Sequence, residues 1–158
     1  MFCGETLFAG YRLRSDARCL QEIGERLGVP VLPLELVDPK FYHLDTCFCP
    51  LDRDSAIYFP AAFDDYGRAV LRERVANLIE VSAEEASSFS CNAVVVGRTV
   101  LLNEGAPRLA ADLAEIGYRT IPLAFTEFIK SGGSAKCLTL RVDGEDAAAW
   151  KADVAQTH

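Results

Sequence analysis

The sequence predicts an α/β fold of short sheets, assembled from a strand, strand, helix, strand unit that occurs about two and a half times. Three observations lead there. Apolar stripes of helical spacing alternate with short runs rich in Val, Leu and Ile. Gly28 and Gly117, Pro33 and Pro122, Leu34 and Leu123 are separated by the same 89 positions (28 to 117, 33 to 122, 34 to 123), the mark of an internal repeat. No strand is followed by a Gly-rich phosphate loop, which excludes the Rossmann and P-loop forms of α/β architecture.

Taken in order, Leu20, Ile23 and Leu27 form a helical stripe over 20–27, ending at Gly28, a residue type suited to the turn that closes a helix. Residues 29–36 then read as a strand. Residues 42–49 and 55–59 read as two more strands, 68–77 as a helix and 78–81 as a strand, and 93–96 with 99–102 as a hairpin around Gly97 and Arg98. Leu109, Leu113 and Ile116 repeat the helical stripe and stop at Gly117, after which 118–123 repeats the strand.

With 158 residues, 50% of them hydrophobic and 25% charged, the chain can bury a substantial core and reads as one domain over 1–158. A formal net charge of -7 without any Lys/Arg cluster argues against nucleic acid and against an anionic membrane, which leaves small molecules and proteins as partners. The longest apolar runs, 93–96 and 29–37, fall far short of the roughly 20 residues a spanning helix needs. The opening MFCGETLFAGYRLR lacks the basic, apolar and small-residue order of a secretory signal, so a reducing, cytoplasmic setting is expected. Of the six cysteines, Cys47, Cys49, Cys91 and Cys19 read as small core residues and Cys3 as an exposed one. The histidines are His43 and the terminal His158, and Cys47-Phe48-Cys49 is too tight for a zinc knuckle, so neither a metal nor a cofactor is expected.

Two stretches could carry chemistry. IKSGGSAKCLTL, residues 129–140, puts Cys137 where a flexible loop becomes an apolar run, which by itself fits either a small core residue or a nucleophile. FYHLDTCFCP, residues 41–50, holds the internal histidine, and an extended strand there would project His43 and Asp45 to one face. A cysteine at a Gly-rich loop together with an imidazole and a carboxylate is the equipment of thiol nucleophilic catalysis. Gly132 and Gly133 would let the loop backbone come close to a ligand.

His43-Leu44-Asp45-Thr46, Phe89-Ser90-Cys91-Asn92-Ala93, the run from Glu127 to Gly133 and Cys137-Leu138-Thr139-Leu140 closely resemble, in order and across nearly the whole chain, the guanidino-group-modifying (pentein) superfamily. That superfamily includes arginine deiminase, dimethylarginine dimethylaminohydrolase and the amidinotransferases. The resemblance implies a fivefold α/β propeller of ββαβ modules, of which this chain would carry the C-terminal two and a half to three. It implies Cys137 as the nucleophile at the guanidinium carbon. It implies His43 as the group that protonates the leaving amine and then activates water, and Asp45 as a carboxylate that binds the guanidinium. Arg14 matches a residue for the substrate's α-carboxylate, with Arg12 as competitor, while Asn92, Gly132 and Gly133 match positions at the substrate.

The implied reaction is hydrolysis of arginine or a methylated arginine to citrulline through a cysteine thiouronium. Amidino transfer, or a catalytically silent binding or assembly domain that keeps the fold, is the alternative. The resemblance also places further guanidinium-binding carboxylates upstream of the strand matching 6–11. Glu5 is a poor substitute because it follows Gly4. Activity is therefore expected to require a complementing N-terminal half, or self-association.

Overall fold

Three ββαβ modules follow one another in the computed structural model, which describes residues 1–142 and 146–148. The first comprises β1 (Phe2–Cys3), β2 (Thr6–Tyr11), α1 (Arg18–Leu27) and β3 (Val31–Glu35). The second comprises β4 (Phe48–Pro50), β5 (Ser55–Tyr58), α2 (Asp65–Arg74) and β6 (Asn77–Glu80). After the short helix α3 (Ala83–Ser87), the third contains β7 (Val94–Val96), β8 (Thr99–Asn103), α4 (Pro107–Glu115) and β9 (Arg119–Leu123). A one-turn helix, α5 (Thr126–Ile129), leads into the Cys137 loop. Each module is a three-stranded sheet whose middle strand pairs antiparallel with the strand before it and parallel with the strand after the helix.

The repeat seen in the sequence is a repeat of register. Pro33 lies opposite Ala9 in the first sheet and Pro122 opposite Leu102 in the third. Both prolines sit on outer strands, where a missing backbone N–H can face away from the ladder without breaking it. The helices that cross between parallel strands put Leu20, Leu71, Leu109 and Leu113 into the interior. Leu71, Leu109 and Leu113 join Phe8, Leu34, Phe48, Ile57, Tyr58, Val100 and Leu102 in one continuous core. All four residues of β5 are buried, as expected of a strand in the middle module.

Several expectations change. Residues 42–49 are not a strand: Leu44–Thr46 form a 3-10 turn, and regular pairing starts only at Phe48. The cause is local, because both the amide and the hydroxyl of Thr46 donate to the His43 carbonyl, the hydroxyl at 2.6 Å, closing a turn that competes with sheet. The helix expected at 68–77 is Asp65–Arg74, started by the Asp64 side chain accepting from the Gly67 amide at 2.8 Å. Three modules are present, the upper end of the two and a half to three expected, since Phe2–Cys3 pairs with β2. Cys19 is exposed and Cys3 buried, the reverse of expectation. Cys19 lies on the outer face of α1, whereas Cys3 reaches the turn carbonyls of Asp52 and Arg53 at 3.5 and 3.4 Å. His158 lies outside the described residues. Among the described residues no helix is long and apolar enough to cross a membrane.

Candidate active site

The site is assembled from two segments that follow modules rather than from sheet residues. The first is the turn after β3, with Tyr42, His43 and Asp45. The second is the loop after α5, in which Ala135 leads into the 3-10 turn Lys136–Leu138 that carries Cys137. A buried asparagine joins them. Asn92 is fully buried, and its Nδ2 donates to both the backbone oxygen and the Oδ2 of Asp45, each at 3.0 Å. Its Oδ1 accepts from the amides of Ser134 at 2.8 Å and Cys137 at 3.3 Å. The Lys136 amide donates to the Asn92 carbonyl at 3.1 Å, and the Ser134 hydroxyl donates to the same oxygen at 3.3 Å. One residue thus fixes the positions of the carboxylate and the thiol together.

Asn92 reaches this position through a strained turn. Phe89 has φ 55°, a left-handed conformation unusual for a bulky residue. Packing holds it there: its ring lies 6.0 Å from that of Phe41, and the Lys40 ammonium stands 5.7 Å from its centroid. Upstream, Ser82 caps α3. The buried Glu85 carboxylate accepts from the amides of Arg108 and Leu109 at 2.8 and 3.2 Å. It thereby caps α4, whose own N-cap, Ala106, has no side-chain acceptor.

Cys137 is exposed, with its thiol donating to Asp45 Oδ2 at 3.4 Å. Burial and the Asp45 carboxylate push this thiol above the ordinary cysteine range, against the lowering effect of Asn92. With nothing bound, the neutral thiol is the favoured form. Gly133 is required by close approach, because a Cβ there would stand 2.8 Å from both Cβ and Sγ of Cys137. Gly132 has φ 91°, and its carbonyl accepts from the Tyr42 hydroxyl at 3.0 Å. His43 is exposed, its ring edge-on to that of Tyr42 with centroids 4.8 Å apart. His43 and Asp45 do not share a strand face. They come together instead on the wall of a cleft of about 290 Å³, which Ser15 and Tyr42 also line.

The two arginines differ in their partners. Arg12 is paired with Glu35 at 2.9 Å, while the Arg14 guanidinium lies over the Tyr42 ring, 5.0 Å from its centroid. Arg14 is the one directed toward the His43 turn. The sequence reading placed Asn92 at the substrate, but its burial and its saturated amide make it a residue that holds the site's parts in place. Ser134, fully buried and bonded to Asn92, and Tyr42 were both missed. Ser134 reads in the sequence as one more loop serine, and its burial is visible only in three dimensions. Tyr42 gave a faint signal by standing next to the internal histidine.

The arrangement joins an exposed thiol, a carboxylate against it, an imidazole on the adjoining turn and an arginine beyond. Residues 4–143 match the family model described as N,N dimethylarginine dimethylhydrolase, eukaryotic. The chain is 42% identical over 141 residues to the bifunctional arginine dihydrolase/ornithine cyclodeaminase AgrE of Nostoc, covering 88% of this chain and 20% of that protein. It is 40% identical over 142 residues to the N(G),N(G)-dimethylarginine dimethylaminohydrolase of Mycobacterium tuberculosis, covering 90% of this chain and 47% of that one. Among solved structures, the product-bound N-terminal domain of the cyanobacterial arginine dihydrolase ArgZ superposes with a TM-score of 0.86 at 41% identity, over 92% of this chain and 53% of that one. A variant of the same domain has been solved covalently bound to a reaction intermediate. The chain thus spans about half or less of the length of these relatives. Its three modules are part of the same α/β propeller, and the chain belongs to the dimethylarginine dimethylhydrolase family of the guanidino-group-modifying (pentein) superfamily.

Proposed function

We propose that this chain is the nucleophile-bearing half of a guanidino-group hydrolase that converts arginine or a methylated arginine to citrulline. The observation that carries the reading is the Asp45–Asn92–Cys137 junction, in which a thiol and a carboxylate meet at 3.4 Å. A guanidinium beside Asp45 is a planar cation with several N–H donors, well suited to a carboxylate. Its positive charge offsets the two influences that raise the Cys137 pKa and favours the thiolate.

The thiolate then forms a C–S bond with the guanidinium carbon. The C–N bond to the leaving amine breaks as protonated His43 gives that nitrogen its proton, leaving a thiouronium on Cys137. Neutral His43 next takes a proton from water, and the water oxygen bonds to the same carbon. The C–S bond breaks, the sulfur leaves with its electron pair, the hydroxyl proton of the product passes to solvent, and the ureido product is citrulline. Two sequential proton transfers at one carbon suit a single imidazole, whose reference pKa is near 6.5. The leaving amine is ammonia from arginine, and methylamine or dimethylamine from its methylated forms. Arg14 binds the α-carboxylate, and the glycine pair gives the loop room against the substrate.

The reading assigns the rest of the guanidinium-binding carboxylates to a complementing half, with self-association as the other route to a closed assembly; the chain's span of about half its relatives supports it. The same observation favours, for the chain alone, the second reading of a silent assembly domain. Six free thiols suit a reducing, cytoplasmic setting. The test is to incubate the chain, with and without the upstream half, with arginine and with asymmetric dimethylarginine, and to assay citrulline and the released amine. Citrulline is expected from the completed assembly. Its absence there with both substrates contradicts the hydrolase reading, and an acceptor-dependent guanidino product points to amidino transfer.

A further inference from the structure

Tyr42 touches three parts of the site, the Gly132 loop, His43 and Arg14. Its hydroxyl donates to the Gly132 carbonyl at 3.0 Å across 90 residues of sequence, its ring meets the His43 ring edge-on at 4.8 Å, and the Arg14 guanidinium covers the ring at 5.0 Å. Any side chain at position 132 would meet the phenol, since a Cβ there would lie 2.8 Å from the hydroxyl oxygen. The contact is therefore built from both sides, by a tyrosine that reaches in and a glycine that leaves room. Gly132 also carries φ 91° and precedes the Gly133 backbone that packs on Cys137 Sγ.

We infer that Tyr42 is a positioning residue that locks the Cys137 loop to the turn bearing His43, and that couples this lock to Arg14. The proposal rests on the hydrolase reading for its kinetic consequence but not for its structural one. The hydroxyl fixes the Gly132 carbonyl, and hence the distance between the sulfur and the imidazole side of the cleft. The ring is the surface on which Arg14 lies, so a ligand carboxylate drawn to Arg14 bears on the same residue that holds the nucleophile loop. A hydrogen bond of this kind accounts for about a three- to tenfold effect, and the cation–ring contact for a similar one.

The substitutions Tyr42→Phe and Tyr42→Leu separate the two functions of the side chain. In hydrogen exchange on the full chain, Tyr42→Phe is expected to speed exchange several-fold in the peptide spanning residues 131–137, with peptides from β5 and β8 unchanged. In the completed assembly, Tyr42→Phe should lower kcat about three- to tenfold with KM within about twofold. Tyr42→Leu should in addition raise KM for arginine more than for a guanidine without a carboxylate, and Arg14→Ala should abolish that difference. Unchanged loop exchange in Tyr42→Phe overturns the proposal, as does a uniform rise across all three modules, which marks a general packing role. An assembly that never turns over a guanidine sinks the hydrolase reading, while the exchange result still decides the role of Tyr42.

Discussion

Cys137 carries opposing influences that can be tested one by one. Burial and Asp45 hold its thiol protonated, so alkylation by neutral iodoacetamide should become fast only above the ordinary cysteine range. A cationic haloacetamidine brings its own charge and should react with Cys137 at lower pH, and Asp45→Asn should lower the pH at which iodoacetamide reacts. Peptide mapping separates these events from alkylation of the exposed Cys19. Asn92→Ala leaves Asp45 and the Ser134 amide without their partner, at a cost of about 1–3 kcal/mol of stability by denaturant unfolding. Turnover should fall further than that, because the thiol and carboxylate lose their common anchor. The family, and with it the candidate nucleophile, was legible because IKSGGSAKCLTL and HLDT are distinctive strings. The part played by Asn92 was not, because a side chain that bonds residues 45, 134 and 137 leaves no local pattern.

The ββαβ units were legible where periodicity is strong. The stripes of α1 and α4 and the proline-bearing β3 and β9 repeat with one spacing, and all four form. The segment at 42–49 was misread because alternation of residue types suggests a strand, while Thr46 closes a turn on the His43 carbonyl. The short α3 was missed although Ser82 and Glu85 mark a helix start, since five residues give no period to read. The first of these corrections moves site residues: the turn takes His43 and Asp45 off a strand face and puts them at the cleft. Leu113→Ala, at a fully buried position of α4, should cost about 2–5 kcal/mol by denaturant unfolding. Asp64→Ala, which removes the α2 cap, should cost about 1 kcal/mol by the same measurement.

Several groups titrate above their ordinary values in the folded chain: burial pushes Cys3 up to about 12, and burial with a carboxylate partner does the same for Tyr58 and Tyr118. The unfolded chain therefore loses these protons first as pH rises. Stability is fully present below the unfolded values, about 8.5 for cysteine and about 10 for tyrosine, and is lost progressively toward about 12. The thermal midpoint should accordingly fall between about pH 9 and 12, and fall less in Cys3→Ala. Beyond Cys137, Leu138, Leu140 and Val142 stand 48%, 89% and 91% exposed, an apolar strip of the kind that a larger assembly covers. If the upstream half completes the catalytic unit, supplying it should raise turnover by about a hundredfold or more, through the carboxylates it brings to the guanidinium. The most direct test of the whole account is mass spectrometry of the completed assembly quenched with acid during turnover of arginine. The account predicts, on the peptide carrying Cys137, a thiouronium adduct that keeps the amino-acid portion of arginine, with adduct and citrulline both lost in Cys137→Ser. Undiminished citrulline formation by Cys137→Ser would contradict it.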